Sequence, residues 1–479
     1  MYLGIDLGTS GVKALLMSDA QSIVASASAP LEVSRPHPGW SEQDPADWIA
    51  ATEAALRQLA GTHGLNNVAG IGLSGQMHGA TLLDAADEVL RPCILWNDTR
   101  AHAEAAALDA DPIFRARTGN IVFPGFTAPK LAWVKAHEPE VFGKLAKVLL
   151  PKDYLRLWLT GAHVSEMSDA AGTSWLDVGK RAWDDDLLAA TDLRRAHMPD
   201  LVEGSHTSGA LRADIATTFG LPPGIPVAGG AGDNAASAVG VGVTGPGDAF
   251  VSLGTSGVLF AAADGYAPDP DTALHTFCHA LPGLWHQMGV ILAATDALAW
   301  YGRLVGAEPA ALTGELQDVQ APGRALFLPY LGGERTPHND AQVRGAFIGL
   351  EHGTDRAAGT RAVLESVAFA FRDSLAAMQA TGTAPERVIA VGGGAASDYW
   401  LQTIATALDL PVDVPAQGDF GAAFGAARLG MMAAGDGGPE IATPPNIACT
   451  HDPDTTLTSA FNDAYQRYRA TYTALKDLS

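Results

Sequence analysis

A chain of 479 residues with an apolar fraction of 47% is too long for one ordinary domain and can fill two sizeable cores. Acidic residues outnumber basic ones 53 to 30, a formal charge of −23, which speaks against nonspecific binding to nucleic acid or to an anionic membrane; an anionic ligand would have to be met by backbone N–H groups or a metal. Cys93, Cys278 and Cys449 lie far apart and form no disulfide framework. With no leader-like start and no run of about 18 strongly apolar residues, a cytoplasmic protein without a membrane span is expected.

Tyr2–Ile5 and Val12–Met17 are β-compatible runs on either side of Gly8-Thr9-Ser10-Gly11, which predicts a hairpin. Asp44-Pro45 reads as an N-cap and first helical residue, followed by Trp48, Ala51, Ala55, Leu56 and Leu59 on one helical face. A strand over Val68–Leu73 runs into Ser74-Gly75-Gln76-Met77-His78, and one over Ile225–Ala228 into Gly229-Gly230-Ala231-Gly232-Asp233. Thr244-Gly245-Pro246-Gly247 is a cluster of breakers. After it a strand over Ala249–Leu253 opens a second copy of Leu-Gly-Thr-Ser-Gly-Val, Leu253–Val258 repeating Leu7–Val12. Val388–Val391 leads into Gly392-Gly393-Gly394, with a helix from about Ser397. The second half ends near Gly430, and Leu457, Phe461, Tyr465, Tyr468, Tyr472 and Leu475 mark one face of a tail helix. That stripe is read as packed on the body, with a dimer-forming helix and a homodimer as the second reading. Strands alternating with helices give an α/β class. The repeat predicts two domains of similar plan, 1–244 and 245–479.

A Gly-Thr-Ser turn offers backbone N–H groups and hydroxyls to phosphate oxygens, and two such turns facing one cleft would grip a polyphosphate from both sides. Only the first copy is preceded by a carboxylate, Asp6, where the second has Ser252. Polyphosphates arrive with Mg2+, so Asp6 is a candidate for the metal or its water shell; the blander alternative is that it caps its own turn. No Gly-x-x-x-x-Gly-Lys-Ser/Thr occurs. The Gly-x-Gly-x-x-Gly match at Gly240, Gly242 and Gly245 follows a helix-like run and leads into a strand, the reverse of the dinucleotide-binding context. The Gly392–Gly394 loop could pass close to a base or a phosphate, or be a tight structural turn. His275, Cys278, His279 and His286 lie close in sequence, but no spacing among them matches a strong zinc signature.

The segments "GIDLGTSGVK", "SRPHPGWSEQDP", "GQMHGATLLD", "ILWNDTR", "GFTAPKLAWV", "LLPKDYLRLWLTG", "SDAAGTSWLDV", "GGAGDNAASAVGVG", "SLGTSGV", "FLPYLGGERTPHND" and "VGGGAASDYW" resemble those of the FGGY carbohydrate kinases over nearly the whole chain. One departure is Ala358-Gly359, in place of the usual polar-then-apolar pair before Ala362-Val363-Leu364-Glu365. The resemblance implies an actin-like fold, two ribonuclease-H-like domains with ATP and sugar in the cleft between them. "GQMHGATLLD" and "SDAAGTSWLDV", narrower than the family signature, imply transfer of the γ-phosphoryl of ATP to the 5-hydroxyl of D-xylulose. By position Asp233 matches the catalytic base and Asp6 the magnesium-associated carboxylate, with both assigned to the metal. Met77, His78, Trp96, Asn97, Asp233 and Asn234 are assigned to the sugar. Gly8, Thr9, Ser10, Lys13, Gly254, Thr255, Gly393, Gly394 and Ser397 are assigned to the nucleotide.

The chemistry of the residues agrees with these roles. A carboxylate after a Gly-Gly-Ala-Gly loop leaves room for a substrate, and a helix start at Asn234 would hold Asp233 ionised, although Asp233 could also simply cap that helix. Met77 and Trp96 could cover the apolar face of a sugar while His78 and Asn97 bond its hydroxyls; from pattern alone, a core His78 is the better reading. A hinge is expected near Gly245-Pro246-Gly247. Two rival classes remain: a sister kinase for ribulose, gluconate or glycerol, which would change the loop after Gln76, and a non-kinase actin-like ATPase, which would need neither Asp233 nor a sugar loop.

Overall fold

A computed structural model describes residues 1–416 and 420–478. Tyr2–Leu7 (β1) and Gly11–Met17 (β2) form the predicted hairpin, with Leu7 opposite Val12 and Asp6 opposite Lys13. β2 continues antiparallel into Ile23–Pro30 (β3), after which the chain enters the helix Pro45–His63 (α1). The Asp44 side chain accepts from the Ala46 N–H at 2.9 Å, and Trp48, Ala51, Ala55, Leu56 and Leu59 are buried. Gly70–Gly75 (β4) lies parallel to β1, with Asp6 beside Ser74. It starts later than the apolar run because the Val68 N–H turns back to Leu65 O. Thr207–Ala210 (β5), Pro226–Ala228 (β6) and the short Ala231–Gly232 (β7) complete a seven-stranded sheet ordered β5-β6-β4-β1-β2-β3, with β7 also on β4.

The second sheet repeats the plan. Its strands are Ala249–Leu253 (β8), Gly257–Ala263 (β9), His275–Cys278 (β10), Trp285–Ile291 (β11), Val388–Val391 (β12), Val412–Pro415 (β13) and Ile447–His451 (β14), ordered β10-β11-β9-β8-β12-β13-β14. In both sheets a repeat-bearing hairpin extends antiparallel on one side. On the other side stand two parallel strands and then one antiparallel strand. The identical letters do not close identically. In the first turn Leu7 pairs with Val12, whereas in the second Leu253 pairs with Gly257, one residue tighter.

Between the sheets run Asp233–Val241 (α2) and Ala422–Ala433 (α3). α3 passes through Gly430, near which the second half was expected to end, finishes at Ala433, and seats on the first sheet. A Cβ at Gly4 would stand 1.9 Å from Ala423 O and one at Gly72 1.7 Å from Ala426 O, while one at Gly425 would stand 1.8 Å from Ala236 O in α2. Only glycine lets these backbones approach so closely. The tail helix Thr458–Leu475 (α4) buries Phe461, Tyr465 and Tyr468 on the second core, and the Tyr465 hydroxyl donates to Asp373 Oδ1 at 2.6 Å. The unusual Gly359 is explained by Tyr301, whose hydroxyl would lie 2.0 Å from a Cβ there. No helix among the described residues is long and apolar enough to cross a membrane.

Candidate active site

Asp6 is the last residue but one of β1, and Asp233 follows β7 as the first residue of α2; β4 lies between them, parallel to both strands. Both carboxylates therefore stand at the carboxyl ends of parallel strands, where open α/β sheets bind their ligands. Asp6 Oδ1 accepts from the Ser74 hydroxyl at 2.9 Å. Burial raises its carboxyl, and Ser74 and the Lys13 ammonium oppose the rise. Asp233 Oδ1 accepts from the Asn234 N–H at 2.7 Å and from Asn234 Nδ2 at 3.0 Å. Its carboxyl is pushed up to about 6, first by burial and then by the charge of Asp6. The helix start does lie at Asp233, but desolvation and a like charge outweigh it. At neutral pH the group is still mostly ionised, as expected of a base, although less firmly than a helix start alone would hold it.

The glycines before Asp233 do not clear space for a ligand. A Cβ at Gly230, where φ is +75°, would stand 2.2 Å from Leu73 O, one at Gly229 2.3 Å from Glu203 O, and one at Gly232 2.9 Å from Met77 Sδ. The loop is held from behind by a fully buried charged cluster that sequence reasoning missed, since charged residues read as surface. Arg156 donates to Ala228 O at 2.7 Å and to Gly229 O at 2.6 Å. Lys152 contacts Asp153, Glu166 and Asp169. Glu166 accepts from the Ser168 hydroxyl at 2.8 Å, and Ser168 Oγ accepts from the Gly232 N–H at 3.1 Å.

His78 adopts φ +69°. Its carbonyl accepts from Lys130 Nζ at 2.8 Å and from the Thr127 hydroxyl at 3.2 Å, and its ring stacks on Phe126 with centroids 4.5 Å apart. Burial and the Lys130 charge lower its pKa to about 3, so the ring is neutral. Nδ1 sits 2.8 Å from Gly172 O, and a carbonyl can only accept, so Nδ1 carries the proton and Nε2 is left as an acceptor. His78, Trp96 and Asn97 line a cavity of about 420 Å³ together with Phe123 and Phe126 and, from the second half, Leu292, Glu334 and Arg335. Met77, Asp233 and Asn234 are not among its described lining residues; Met77 lies against Gly232. The Trp96–Asn97 loop is fixed by buried Asp98, which accepts from the Ser41 N–H at 2.6 Å and from Arg100 Nε at 2.9 Å.

The two repeated turns differ in what their polar groups do. The Thr9 hydroxyl donates to Gln76 Oε1 at 2.9 Å and accepts from Trp96 Nε1 at 3.0 Å, and Gln43 Nε2 donates to Thr9 O at 2.8 Å. The Gly8 N–H bonds Gly11 O across the turn. The first turn is thus tied to the Trp96 loop directly through the Thr9 hydroxyl, and is held on its other sides by Gln43 and Gln76, to which sequence reasoning gave no role. Ser10 is exposed, and Lys13 lies close enough to Asp6 for its ammonium to favour that carboxylate. In the second turn Gly254 O accepts from the Thr295 N–H and hydroxyl at 2.9 and 2.8 Å, and Thr255 O accepts from the Ala294 N–H at 2.8 Å. The Gly392–Gly394 loop packs on Leu253, just before this turn, which brings Gly254 and Thr255 together with Gly393 and Gly394. Ser397 caps Asp398–Leu408 by accepting from the Trp400 N–H at 3.3 Å. Gly393, Gly394 and Ser397 line a second cavity of about 440 Å³ with Thr295, Leu298 and Trp400.

His275, His279 and His286 are buried among Phe260, Phe277 and one another, with their pKa values lowered chiefly by burial. Among the described residues no group of three or more His, Cys, Asp or Glu side chains converges as a metal-ligand set.

Residues 1–240 match the N-terminal domain of the FGGY family of carbohydrate kinases, and residues 249–434 its C-terminal domain. The chain is 48% identical to xylulose kinase of Escherichia coli (strain K12), over all of both chains. Among solved structures it is similar to a xyloylose kinase from Brucella ovis, at 62% identity and TM-score 0.99 over all of both chains. It is also similar to xylulose kinase from Rhodospirillum rubrum, at 34% identity and TM-score 0.93 over 100% of this chain and 99% of that one. The duplicated sheets are the actin-like sugar-kinase fold, and the chain belongs to the FGGY family of carbohydrate kinases, ATP-dependent enzymes that phosphorylate sugars.

Proposed function

We propose that this kinase transfers the γ-phosphoryl group of ATP to the 5-hydroxyl of D-xylulose with Asp233 as general base. The observation that carries the reading is the Asp6–Asp233 pair, two desolvated carboxylates at the ends of parallel strands in one sheet, with Asp233 raised to about 6 by burial and by its neighbour. The choice of sugar is supported by full-length relatives that bear the name xylulose kinase. In this reading residues 1–244 carry the base and most of the sugar site, and residues 245–479 the nucleotide site and the tail helix. The adenine occupies the cavity beside Gly393, Gly394 and Ser397, with the phosphates toward Gly254, Thr255 and the first turn, Gly8 to Ser10, and Lys13. The three free cysteines fit a cytoplasmic enzyme.

A primary alcohol is a poor nucleophile, and a base of pKa near the working pH assists it by ~10²–10⁴-fold. Asn234 holds Oδ1 of Asp233, so the proton of the 5-hydroxyl moves to Oδ2 as the oxygen attacks the γ-phosphorus, the bond from that phosphorus to the β,γ-bridging oxygen breaks, and ADP leaves with the electron pair. Neutral His78 presents Nε2 to a sugar hydroxyl, Asn97 presents its amide, and Met77 and Trp96 cover the carbon chain. The residues fit Mg2+: two oxygen-donor carboxylates whose charges repel leave a need for a cation, and Mg2+ takes one or two carboxylates together with water and phosphate oxygens. Held by Asp6 and Asp233 beside the phosphates, it would neutralise charge developing on the phosphoryl oxygens. A coupled assay with ATP, Mg2+ and a panel of ketoses, polyols and aldonates tests the reading, and Asp233→Asn tests the base: near-normal turnover in that variant would remove Asp233 from the role.

A further inference from the structure

The cavity lined by His78, Trp96 and Asn97 is also lined by the second half of the chain, through Leu292, Glu334 and Arg335. Two of its polar atoms lack partners. Asn97 Oδ1 and Glu334 Oε2 are buried without a hydrogen bond. Glu334 as a whole is 2% exposed, and its other oxygen accepts from the N–H groups of Leu292 at 3.0 Å and Arg335 at 2.7 Å. Burial raises the Glu334 carboxyl to about 8, which favours the protonated form, in which Oε2 can donate. The Arg335 guanidinium lies 4.3 Å over the Phe123 ring, with Nη1 3.4 Å from His275 Nε2. Its remaining N–H groups meet no acceptor among the described residues. Arg335 is half-buried, but buried polar atoms such as Asn97 Oδ1 and Glu334 Oε2 are kept where something else completes them.

The geometry points to a second-half contact with the sugar: Arg335, supported by Glu334, holds the carbonyl end of the ketose while Asp233 addresses its other end. The inference rests on the reading above, in which a straight-chain ketose is phosphorylated on its terminal hydroxyl. If that hydroxyl lies at Asp233 and the chain passes His78, the end that reaches the cavity is the one furthest from the transferred phosphoryl group. In a ketose this end carries a carbonyl oxygen, which only accepts, and a hydroxyl. A guanidinium only donates. Arg335 and the protonated Glu334 therefore match the carbonyl oxygen, and Asn97 Oδ1 can accept from the adjacent hydroxyl. A pentitol places a hydroxyl where the carbonyl would be, a weaker acceptor whose own proton must be turned away from two donors. Because these groups belong to the second half while His78 and Trp96 belong to the first, the sugar itself bridges the halves.

The test is steady-state kinetics of wild type, Arg335→Met, Arg335→Lys and Glu334→Gln with D-xylulose and with xylitol. Arg335→Met is expected to raise the KM for D-xylulose by about tenfold or more, as loss of a charged hydrogen bond does, with the KM for ATP within about twofold of wild type. It should also lower the ketose-to-pentitol ratio of kcat/KM by about fivefold or more, with Arg335→Lys recovering part of the loss. Glu334→Gln keeps an acceptor for the two backbone N–H groups but changes the group that faces the carbonyl oxygen, and should move the sugar KM while leaving the ATP KM within about twofold of wild type. An unchanged sugar KM in Arg335→Met, a parallel rise in the ATP KM in both Arg335 variants, or an unchanged ketose-to-pentitol ratio would each overturn the inference. Wild type that fails to phosphorylate D-xylulose strikes the reading beneath and removes both. An active wild type with an indifferent Arg335→Met strikes this inference alone.

Discussion

Replacing Asp233 with Asn separates the chemical role of this carboxylate from its structural burden. The unfolded carboxyl titrates at 3.8 and the folded one at about 6, because burial and the charge of Asp6 disfavour its ionised form. At about 1.36 kcal/mol per pH decade, ionising it in the folded protein weakens the fold by at most about 3 kcal/mol. The sign follows from the raised value. The burden is fully present above about pH 6, shrinks as pH falls from there to 3.8, and is absent below. Asn has the same shape, can accept the Asn234 hydrogen bonds through its oxygen, and carries no charge. Asp233→Asn is therefore expected to unfold at a higher denaturant or temperature midpoint than wild type at pH 8, without nucleotide or Mg2+, with the difference closing toward pH 4. At pH 8 the same variant should lose ~10²-fold or more of its sugar-dependent turnover, and wild-type turnover should fall as pH drops below about 6, where the base becomes protonated. A stability difference independent of pH, or turnover within about tenfold of wild type, would refute the reasoning.

Asp6→Ala should raise the Mg2+ concentration needed for half-maximal rate by about tenfold or more, with little change in sugar affinity measured without nucleotide; unaltered metal dependence would contradict the role of Asp6. His78→Ala, which removes the Nε2 acceptor and the stack on Phe126, should raise the sugar KM by about tenfold and leave the ATP KM within about twofold, as steady-state kinetics would read. Gly425→Ala places a methyl group 1.8 Å from Ala236 O and should lower stability by about 2 kcal/mol or more through forced separation of α2 and α3; an unchanged unfolding midpoint would show that the two helices part freely. Sugar with a nonhydrolysable ATP analogue should reduce the radius of gyration in small-angle scattering, since the cleft must narrow to exclude water, and an unchanged scattering curve at saturation would leave closure without support.

The repeated hairpin, the Asp44-Pro45 helix start and the strand-to-glycine-loop passages were legible because each is local: the turn chemistry and the side-chain period lie within about ten residues. The placement of α3 was not. Its glycine and alanine face reads as a loosely apolar helix, and only the facing Gly4 and Gly72, some four hundred residues earlier in the chain, show what it packs against. The buried set Lys152, Asp153, Arg156, Glu166 and Asp169 was hidden for a related reason: charged residues in a helix normally face water, and their partners come from three separate segments. In the site, Asp6, Asp233 and His78 stood out from glycine-rich or strand-end positions. Gln43, Gln76, Glu334 and Arg335 did not, because their meaning lies in contacts across the chain. The glycines before Asp233 were legible as a tight loop but not in purpose, since they accommodate Leu73, Glu203 and Met77 rather than a ligand.

The most direct measurement is initial-rate phosphorylation of D-xylulose, D-ribulose, gluconate and glycerol at fixed ATP and Mg2+, with the site of phosphorylation on the best acceptor read by NMR. D-Xylulose is expected to show the highest kcat/KM by about tenfold or more, with the phosphate on its 5-oxygen. Equal or better use of another acceptor, or a phosphate on any other oxygen, would contradict the assignment of sugar and orientation.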